Sequence, residues 1–432
     1  MAVEDQPVPR PRQGGRPGRS ATIDEALDAL PDGGRVYVAA GCGAPTQLLD
    51  AMAERPDRWT ALEILTDYLL EPLRLFRHAP QPFRLTSLQP SRAVDPMREA
   101  GALATVPSSL RHYGRLTSPG GPLSLDAVVV QVAPPGPSGR FSLGTNVGIA
   151  IELMANSPLV IAEVNPRMPY TFGAGEVDRD EIDLLVDVDH PLVELLPVPV
   201  DETSATIGAL VAGEIPDRAT VQFGIGAIPT AALEALVGHR DLGLHGGMIG
   251  DAVIGLHESG ALTGVDKATW PGRMVTGAVI GSAPVFEFVD RNPDVVMVPS
   301  TVSHGVDWLG RLERFCAINS AVEISLDGSI NAEMAGDRVL SGPGGQPDYA
   351  IGAAESPGGV SIVAFPSTAG RSRRSRIVRR LAEGATVTVA RSLADVVITE
   401  HGVARLRGRS LAGRAEALRA IADPAARPDL GI

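Results

Sequence analysis

The chain has little of what stabilises secreted or membrane-spanning proteins. Only two of its 432 residues are cysteines, Cys42 and Cys316, too few for a disulfide framework and wrongly spaced for a metal cluster. No apolar run approaches the ~20 residues that cross a bilayer, and the N-terminus lacks the apolar core of a signal peptide. We therefore expect a cytoplasmic protein with two buried thiols, no bound metal and no membrane span.

Positive charge is also scarce. The chain has 38 lysines and arginines and 51 acidic residues, so its net charge is -13. This negative charge argues against nucleic acid or an anionic membrane as the main partner. One stretch is nevertheless basic, and a helix there would place several arginines on one face as a phosphate contact or simply as a solvated surface. Its members are Arg371, Arg373, Arg374, Arg376, Arg379 and Arg380.

Short apolar runs separated by helical stretches indicate an α/β fold with parallel strands covered on both faces. The pattern restarts near residue 201, so we predict two similar open α/β domains with the active cleft between them. Residues 1–19 are predicted to be a disordered tail, residues 20–200 the N-terminal domain and residues 201–432 the C-terminal domain. Thr22, followed by Glu25, fits a capping box for the first helix.

A glycine-rich turn is the strongest local signal. It follows a predicted strand at residues 220–223, which includes Gln222, and consists of Gly224, Ile225, Gly226 and Ala227. Glycine amides at the start of a helix can approach a phosphate or a developing oxyanion closely. Many α/β turns use two glycines only to bend the chain, so this motif alone does not decide between the two roles.

A second stretch, residues 242–251, begins with a predicted strand at residues 242–245. Together the two stretches resemble the acetyl-CoA hydrolase/transferase family, which includes the 4-hydroxybutyrate CoA-transferases and has the family I CoA-transferase fold. Further similar motifs occur in the family's order, so the resemblance covers the chain from about Val36 to the C-terminus. They lie at residues 142–144, 162–169, 318–321, 331–333, 344–349 and 397–404. The resemblance implies acyl-CoA and a small carboxylate as substrates, coenzyme A as substrate or product, and a homo-oligomer.

The chain departs from the family pattern at one position. That pattern ends the second strand with His-Thr-Glu-Met, whose glutamate carries CoA as a glutamyl thioester, whereas this chain has His245, Gly246, Gly247 and Met248. Glycine has no side chain to acylate, so the covalent step cannot occur at Gly247. We expect the two glycines to enlarge the cleft and leave space for water or a bulkier acyl group.

The resemblance also suggests which other residues belong to the site. His245 could position water or polarise the thioester, and Glu333 or Asp348 could act as a base, although a structural role is open for each. Glu163 is expected to face the acyl pocket, and Asp251 to cap the helix that starts near Ala252. The residues expected to bind CoA or an oxyanion are Gln222, Gly224, Ile225, Gly226, Ala227, Gly344, Gly345, Gln346 and Gly352.

Three functional interpretations stay open from the sequence. The first is an acyl-CoA enzyme that hydrolyses the thioester or transfers CoA without a covalent glutamyl intermediate. The second is a CoA-transferase with a relocated acid such as Glu333 or Glu258, and the third is a non-catalytic acyl-CoA-binding protein. They differ in what approaches the thioester from the side that Gly247 leaves vacant.

Overall fold

The computed structural model describes residues 17–72, 74, 75 and 82–431. Most of the predicted tail, residues 1–16, lies outside this part of the chain, but its last residues are ordered. Arg19–Ser20 is a strand that pairs in parallel with Leu184–Asp187, and the Gly18 N–H donates to the Arg179 carbonyl at 2.9 Å. The tail prediction therefore extended too far, because the pairing that orders these residues is with a distant strand.

The described residues form two compact units. The first contains the residues up to Leu196 together with Val275–Ser303, and the second contains Pro197–Met274 and the residues from His304 onward. The sequence analysis assigned residues 275–303 to the C-terminal domain. They belong to the first unit because Val295–Met297 pairs in parallel with Phe172–Gly173.

The first unit is built on an eight-stranded parallel sheet. Its strand Ala127–Val132 is apolar except at Gln131 and is buried at every position, as expected for a strand covered on both faces. In spatial order the strands are Arg19–Ser20, Leu184–Asp187, Val160–Val164, Ala127–Val132, Arg35–Val38, Leu62–Thr66, Phe83–Ser87 and Leu103–Thr105. Its α-helices are Ile23–Ala29, Thr46–Glu54, Asp95–Glu99, Tyr113–Leu116, Ala150–Asn156, Ala283–Val289 and Ser300–Ser303. The predicted capping box is confirmed, since Thr22 and Glu25 cap the first helix reciprocally.

The second unit has a six-stranded sheet that is parallel except at its last strand. In spatial order its strands are Gly243–Leu244, Thr220–Gln222, Phe315–Asn319, Val360–Ala364, Val396–Thr399 and Gly402–Arg405. Its α-helices are Glu202–Gly213, Ala227–Ala235, Ala252–Glu258, Val306–Leu309, Gln346–Glu355 and Leu411–Ala420. The alternating apolar pattern of residues 385–389 predicts a further strand, but Val389 makes only an isolated bridge to Ile330.

The parallel register of the second sheet brings several loops to one edge. Gln222, Leu244 and Asn319 end neighbouring strands, so the residues that follow them lie at the carboxyl edge of the sheet. Ligands of open α/β sheets bind at this edge. The predicted α/β class is thus confirmed, and none of the helices in the described part of the chain has the length and apolar character to cross a bilayer.

Candidate active site

The glycine-rich turn forms as predicted, although its flanking elements are slightly displaced. The strand ends at Gln222, one residue before the predicted end at residue 223. The helix Ala227–Ala235 begins two residues before Pro229, so its first residue belongs to the predicted turn. Gly226 has φ 117° and ψ 179°, a conformation that side-chain-bearing residues rarely adopt, and no side chain caps the helix. The first amides of this helix therefore border a partly exposed turn that can receive negative charge.

The side chain of Gln222 lies beside this turn and is only 3% exposed. Its Oε1 accepts a hydrogen bond from Asn319 Nδ2 at 3.2 Å, which connects two neighbouring strand ends. Gly246 lies on its other side, where an added Cβ would be 3.2 Å from Gln222 Cγ. Asn319 was not among the predicted site residues, although it stands in one of the family-like motifs.

The surroundings of Gly247 contradict the expected enlargement of the cleft. A Cβ added to Gly247 would lie 2.6 Å from both Cε1 and Nε2 of His304 and 2.8 Å from the hydroxyl oxygen of Tyr349. Side chains of other residues therefore already fill the space beside Gly247. Because the φ angle of Gly247 is outside the left-handed region, this crowding explains why glycine is present.

His304 is held between two glycines and an aromatic ring. A Cβ added to Gly345 would lie 2.5 Å from His304 Nε2 and 2.7 Å from Tyr349 Cε2. The rings of His304 and Tyr349 have centroids 4.8 Å apart and planes inclined by 36°. Sequence analysis did not identify His304, which lies outside every recognised motif, and it passed over Tyr349 at the end of one.

Tyr349 is a neutral phenol in this environment. Burial raises its pKa well above the ordinary value, and the charge of Asp348 raises it further, while the Gly247 N–H lowers it by a smaller amount. The hydroxyl has no hydrogen-bond partner of ordinary geometry among the described residues. It is therefore a proton donor at any pH near neutrality.

The second glycine-rich motif leads into the helix Gln346–Glu355. Gly344 has φ 58°, and Nε2 of Gln346 is buried without a hydrogen-bond partner in the described part of the chain. Asp348 is 2% exposed, so it lies inside this unit and not on its surface. Gly352 is buried and makes room for Leu309, whose Cβ would be 2.5 Å from an added Cβ, so helix packing accounts for this glycine.

His245 is fully buried, which favours the structural role that the sequence left open for it over a role exposed to the cleft. Its ring packs against Trp270 with centroids 6.0 Å apart, and Trp270 packs against Trp308 at 5.2 Å. Nearby, the buried Lys267 donates to the carbonyls of Leu244 and Arg273 at 2.8 and 2.7 Å. Burial lowers the pKa of Lys267 to about 7. These contacts fix the strand that leads to Gly247.

The remaining acids make structural contacts. Glu333 accepts from Thr388 Oγ1 at 2.8 Å, and burial raises its pKa. In the first unit Glu163 is fully buried, and its Oε1 accepts from the Leu48 N–H at 2.6 Å. Its Oε2 lies 3.0 Å from His190 Nε2, within hydrogen-bond distance. Glu163 therefore anchors the backbone and does not face an open pocket.

Asp251 precedes the helix Ala252–Glu258, as expected, but its side chain makes no capping hydrogen bond to that helix. Among the described residues no group of three or more His, Cys, Asp or Glu side chains is arranged to hold a metal ion. Cys42 and Cys316 are buried, as predicted, and neither forms a disulfide. Burial raises the pKa of Cys316 to about 12.

The arginine-rich stretch is not helical, so the predicted shared face is wrong. It contains the short strands Arg374–Ser375 and Ile377–Val378. Arg376 is directed inward, where its guanidinium donates to the carbonyls of Ala321 and Val322 and lies 4.9 Å from the centroid of the Phe365 ring. Strand pairing in this segment overrides the helical spacing of the arginines.

The chain is similar to known proteins over most of its length. The family model "Acetyl-CoA hydrolase/transferase N-terminal domain" matches residues 17–197, and the corresponding C-terminal domain model matches residues 281–431. The 4-hydroxybutyrate coenzyme A transferase of Clostridium kluyveri is 34% identical over 95% of this chain and 95% of its own. The chain belongs to the acetyl-CoA hydrolase/transferase family.

Solved structures agree with this membership. The 4-hydroxybutyrate CoA-transferase of Porphyromonas gingivalis is similar with a TM-score of 0.79 and 32% identity, covering 95% of this chain and 96% of that one. RipA from Yersinia pestis is similar with a TM-score of 0.90 and 26% identity over the same shares. Coenzyme A thioesters are the substrates of the family, so the glycine-rich turns lie in an acyl-CoA enzyme fold.

Proposed function

We propose that this protein cleaves acyl-CoA thioesters without a covalent glutamyl intermediate, with water as the principal acceptor. The observation that carries the proposal is Gly247, which stands where the family pattern has its nucleophilic glutamate and has no side chain to acylate. The atoms nearest to its Cβ position belong to an imidazole and a phenol. Membership of a family that acts on CoA thioesters supports the choice of substrate.

The carboxyl edge of the second sheet supplies groups suited to this reaction. Because Oε1 of Gln222 accepts from Asn319, its Nε2 is left as a donor. That donor and the first amides of the helix Ala227–Ala235 are suited to stabilise the oxyanion that forms when the thioester carbonyl is attacked. The amides that follow Gly344 and Gly345 are suited to the phosphates of CoA.

The reaction is balanced without a metal. A water oxygen bonds to the acyl carbon, the carbon–sulfur bond breaks, and a proton reaches the departing CoA thiolate, so a carboxylic acid and CoA are formed. A small carboxylate in place of water would form a mixed anhydride with the acyl group as the carbon–sulfur bond breaks. The CoA thiolate would then attack the carbonyl carbon that came from the small carboxylate and release the original acid, so CoA is transferred without a covalent enzyme intermediate. The proposal includes a cytoplasmic location, which the two buried free thiols support. It also includes a homo-oligomer, which the family resemblance suggests.

The test is incubation of the full chain with a panel of acyl-CoAs, with and without acetate. Free thiol and new thioesters are followed by mass spectrometry, and hydrolysis in ¹⁸O-labelled water identifies the acceptor. Free CoA and one labelled oxygen in the acid, without acetate, are expected. A new acyl-CoA that forms only with acetate and leaves a CoA-modified peptide would contradict the proposal, and intact substrates throughout would favour a binding protein.

A further inference from the structure

His304 fills the side-chain space at position 247, and two glycines are required for it to be there. Its Nε2 lies 2.6 Å from the Cβ position of Gly247 and 2.5 Å from that of Gly345. Real Cβ atoms are not found this close to another heavy atom, so either glycine could be replaced only if the ring moved. His304 itself is 5% exposed, whereas both glycines retain exposed surface. The imidazole is thus almost wholly covered, and part of the space that it fills is space that side chains at positions 247 and 345 would otherwise need.

From this geometry we infer that His304 is the general base of thioester cleavage, in place of the missing carboxylate. The inference rests on the proposed function. A glutamate would carry its oxygens three bonds beyond Cβ, and a water hydrogen-bonded to Nε2 would lie about 2.8 Å beyond that nitrogen. Because Nε2 lies so near the Cβ position, the water occupies roughly the place of the carboxylate oxygen. The attacking group is then water and not an enzyme side chain.

Imidazole chemistry suits this position. Histidine changes protonation near neutral pH, so the unprotonated Nε2 can take a proton from water as the water oxygen bonds to the acyl carbon. The imidazolium then returns the proton to the CoA thiolate as the carbon–sulfur bond breaks. No covalent enzyme intermediate forms, and no additional reactant is needed.

Tyr349 is the positioning residue for His304. Its ring lies 4.8 Å from the imidazole, and both side chains are almost fully buried, so the phenol restricts the orientation of the imidazole. Its raised pKa keeps the hydroxyl protonated, so no phenolate charge competes with the developing oxyanion. Loss of the hydroxyl alone leaves the ring packing in place.

The experiment compares wild-type protein with variants at His304 and Tyr349 in the acyl-CoA assay. The control is His257→Gln, which changes a partly exposed histidine elsewhere in the same unit. We expect His304→Gln to lower kcat about 100-fold or more, with KM within a few-fold, because only proton transfer is lost. The acid limb of the wild-type kcat profile should disappear in this variant. Tyr349→Leu, which removes the ring that packs against the imidazole, should lower kcat by less and shift that limb. Tyr349→Phe keeps the ring and should behave as wild type, as should His257→Gln.

Two further measurements separate catalysis from folding. Imidazole added to His304→Gly should restore part of kcat, which a packing role would not allow. If the variants do not fold, the wild-type profile still decides, because a kcat without an acid limb over the whole pH range in which the protein stays folded would overturn the inference. Retention of kcat in folded His304→Gln would overturn it as well. A wild-type protein that cleaves no acyl-CoA would instead overturn the proposed function, and this inference with it.

Discussion

The imidazole of His304 lies where a side chain at position 247 would have to begin. Its Cε1 and Nε2 are each 2.6 Å from the Cβ position of Gly247. The absence of a side chain at position 247 and the placement of the imidazole are therefore one structural feature. A larger residue at either position requires the other to change.

Gly247→Ala is expected to lower the free energy of unfolding by about 1–3 kcal/mol, because the methyl group overpacks the His304 and Tyr349 contact. Urea denaturation measures the change. Gly255→Ala is the matched control, since it lies in the helix Ala252–Glu258 with nothing within 4 Å of its Cβ position. That substitution should be neutral or stabilising by about 0.5–1 kcal/mol. Equal effects of the two substitutions would show that Gly247 is not crowded.

Gly247→Glu by itself is not expected to restore a covalent intermediate, although it supplies the family's nucleophile. A glutamate side chain cannot be accommodated at position 247 while the His304 ring overlaps the position of its Cβ atom. The double variant with His304→Gly removes the obstruction, so a CoA adduct on the peptide containing residue 247 should appear only there. Mass spectrometry after incubation with acyl-CoA and proteolysis detects it. An equally abundant adduct in the single variant would argue against the steric explanation.

Gly226→Ala is expected to cost about 1–2 kcal/mol of unfolding free energy, because φ 117° is strained for any residue with a Cβ. Gly224→Ala tests the same turn without that strain, since its φ is ordinary and nothing lies within 4 Å of its Cβ position. Thermal and urea unfolding of the two variants should therefore differ clearly. Similar stability would mean that the turn adopts another conformation.

Lys267 should make stability rise with pH. The pKa of Lys267 is about 7 in the folded protein, whereas the unfolded chain has the ordinary value of 10.5. Between these two pH values the unfolded chain therefore binds more protons than the folded protein. The free energy of unfolding of wild type relative to Lys267→Met should then increase by up to about 1.4 kcal/mol per pH unit from pH 7 to 10. Denaturation at several pH values measures this difference. A flat or falling difference would indicate that the buried amine stays charged.

His245→Ala is expected to act through stability. The ring is fully buried against Trp270, so truncation leaves a cavity that should cost about 2–4 kcal/mol. The kcat of the folded fraction should keep the wild-type pH profile. A lost ionisation in that profile, with stability unchanged, would instead assign His245 a catalytic role.

Local sequence features determined much of the architecture. Continuous apolar runs such as Ala127–Val132 predict strands covered on both faces, because the burial of both sides of a strand requires apolar residues at successive positions. The capping residues Thr22 and Glu25 and the turn at Gly226 were likewise evident, because each depends on neighbours in the chain. The absence of a carboxylate at position 247 needed no structure at all.

Tertiary structure decided which side chains surround position 247. His304 and Tyr349 reach Gly247 from distant parts of the chain, and no periodicity or motif marks such a steric contact. The same holds for the burial of His245 and for the assignment of Val275–Ser303 to the first unit. Each depends on which side chains are packed together after the strands have paired, and close packing of residues remote in sequence is fixed only in the folded chain.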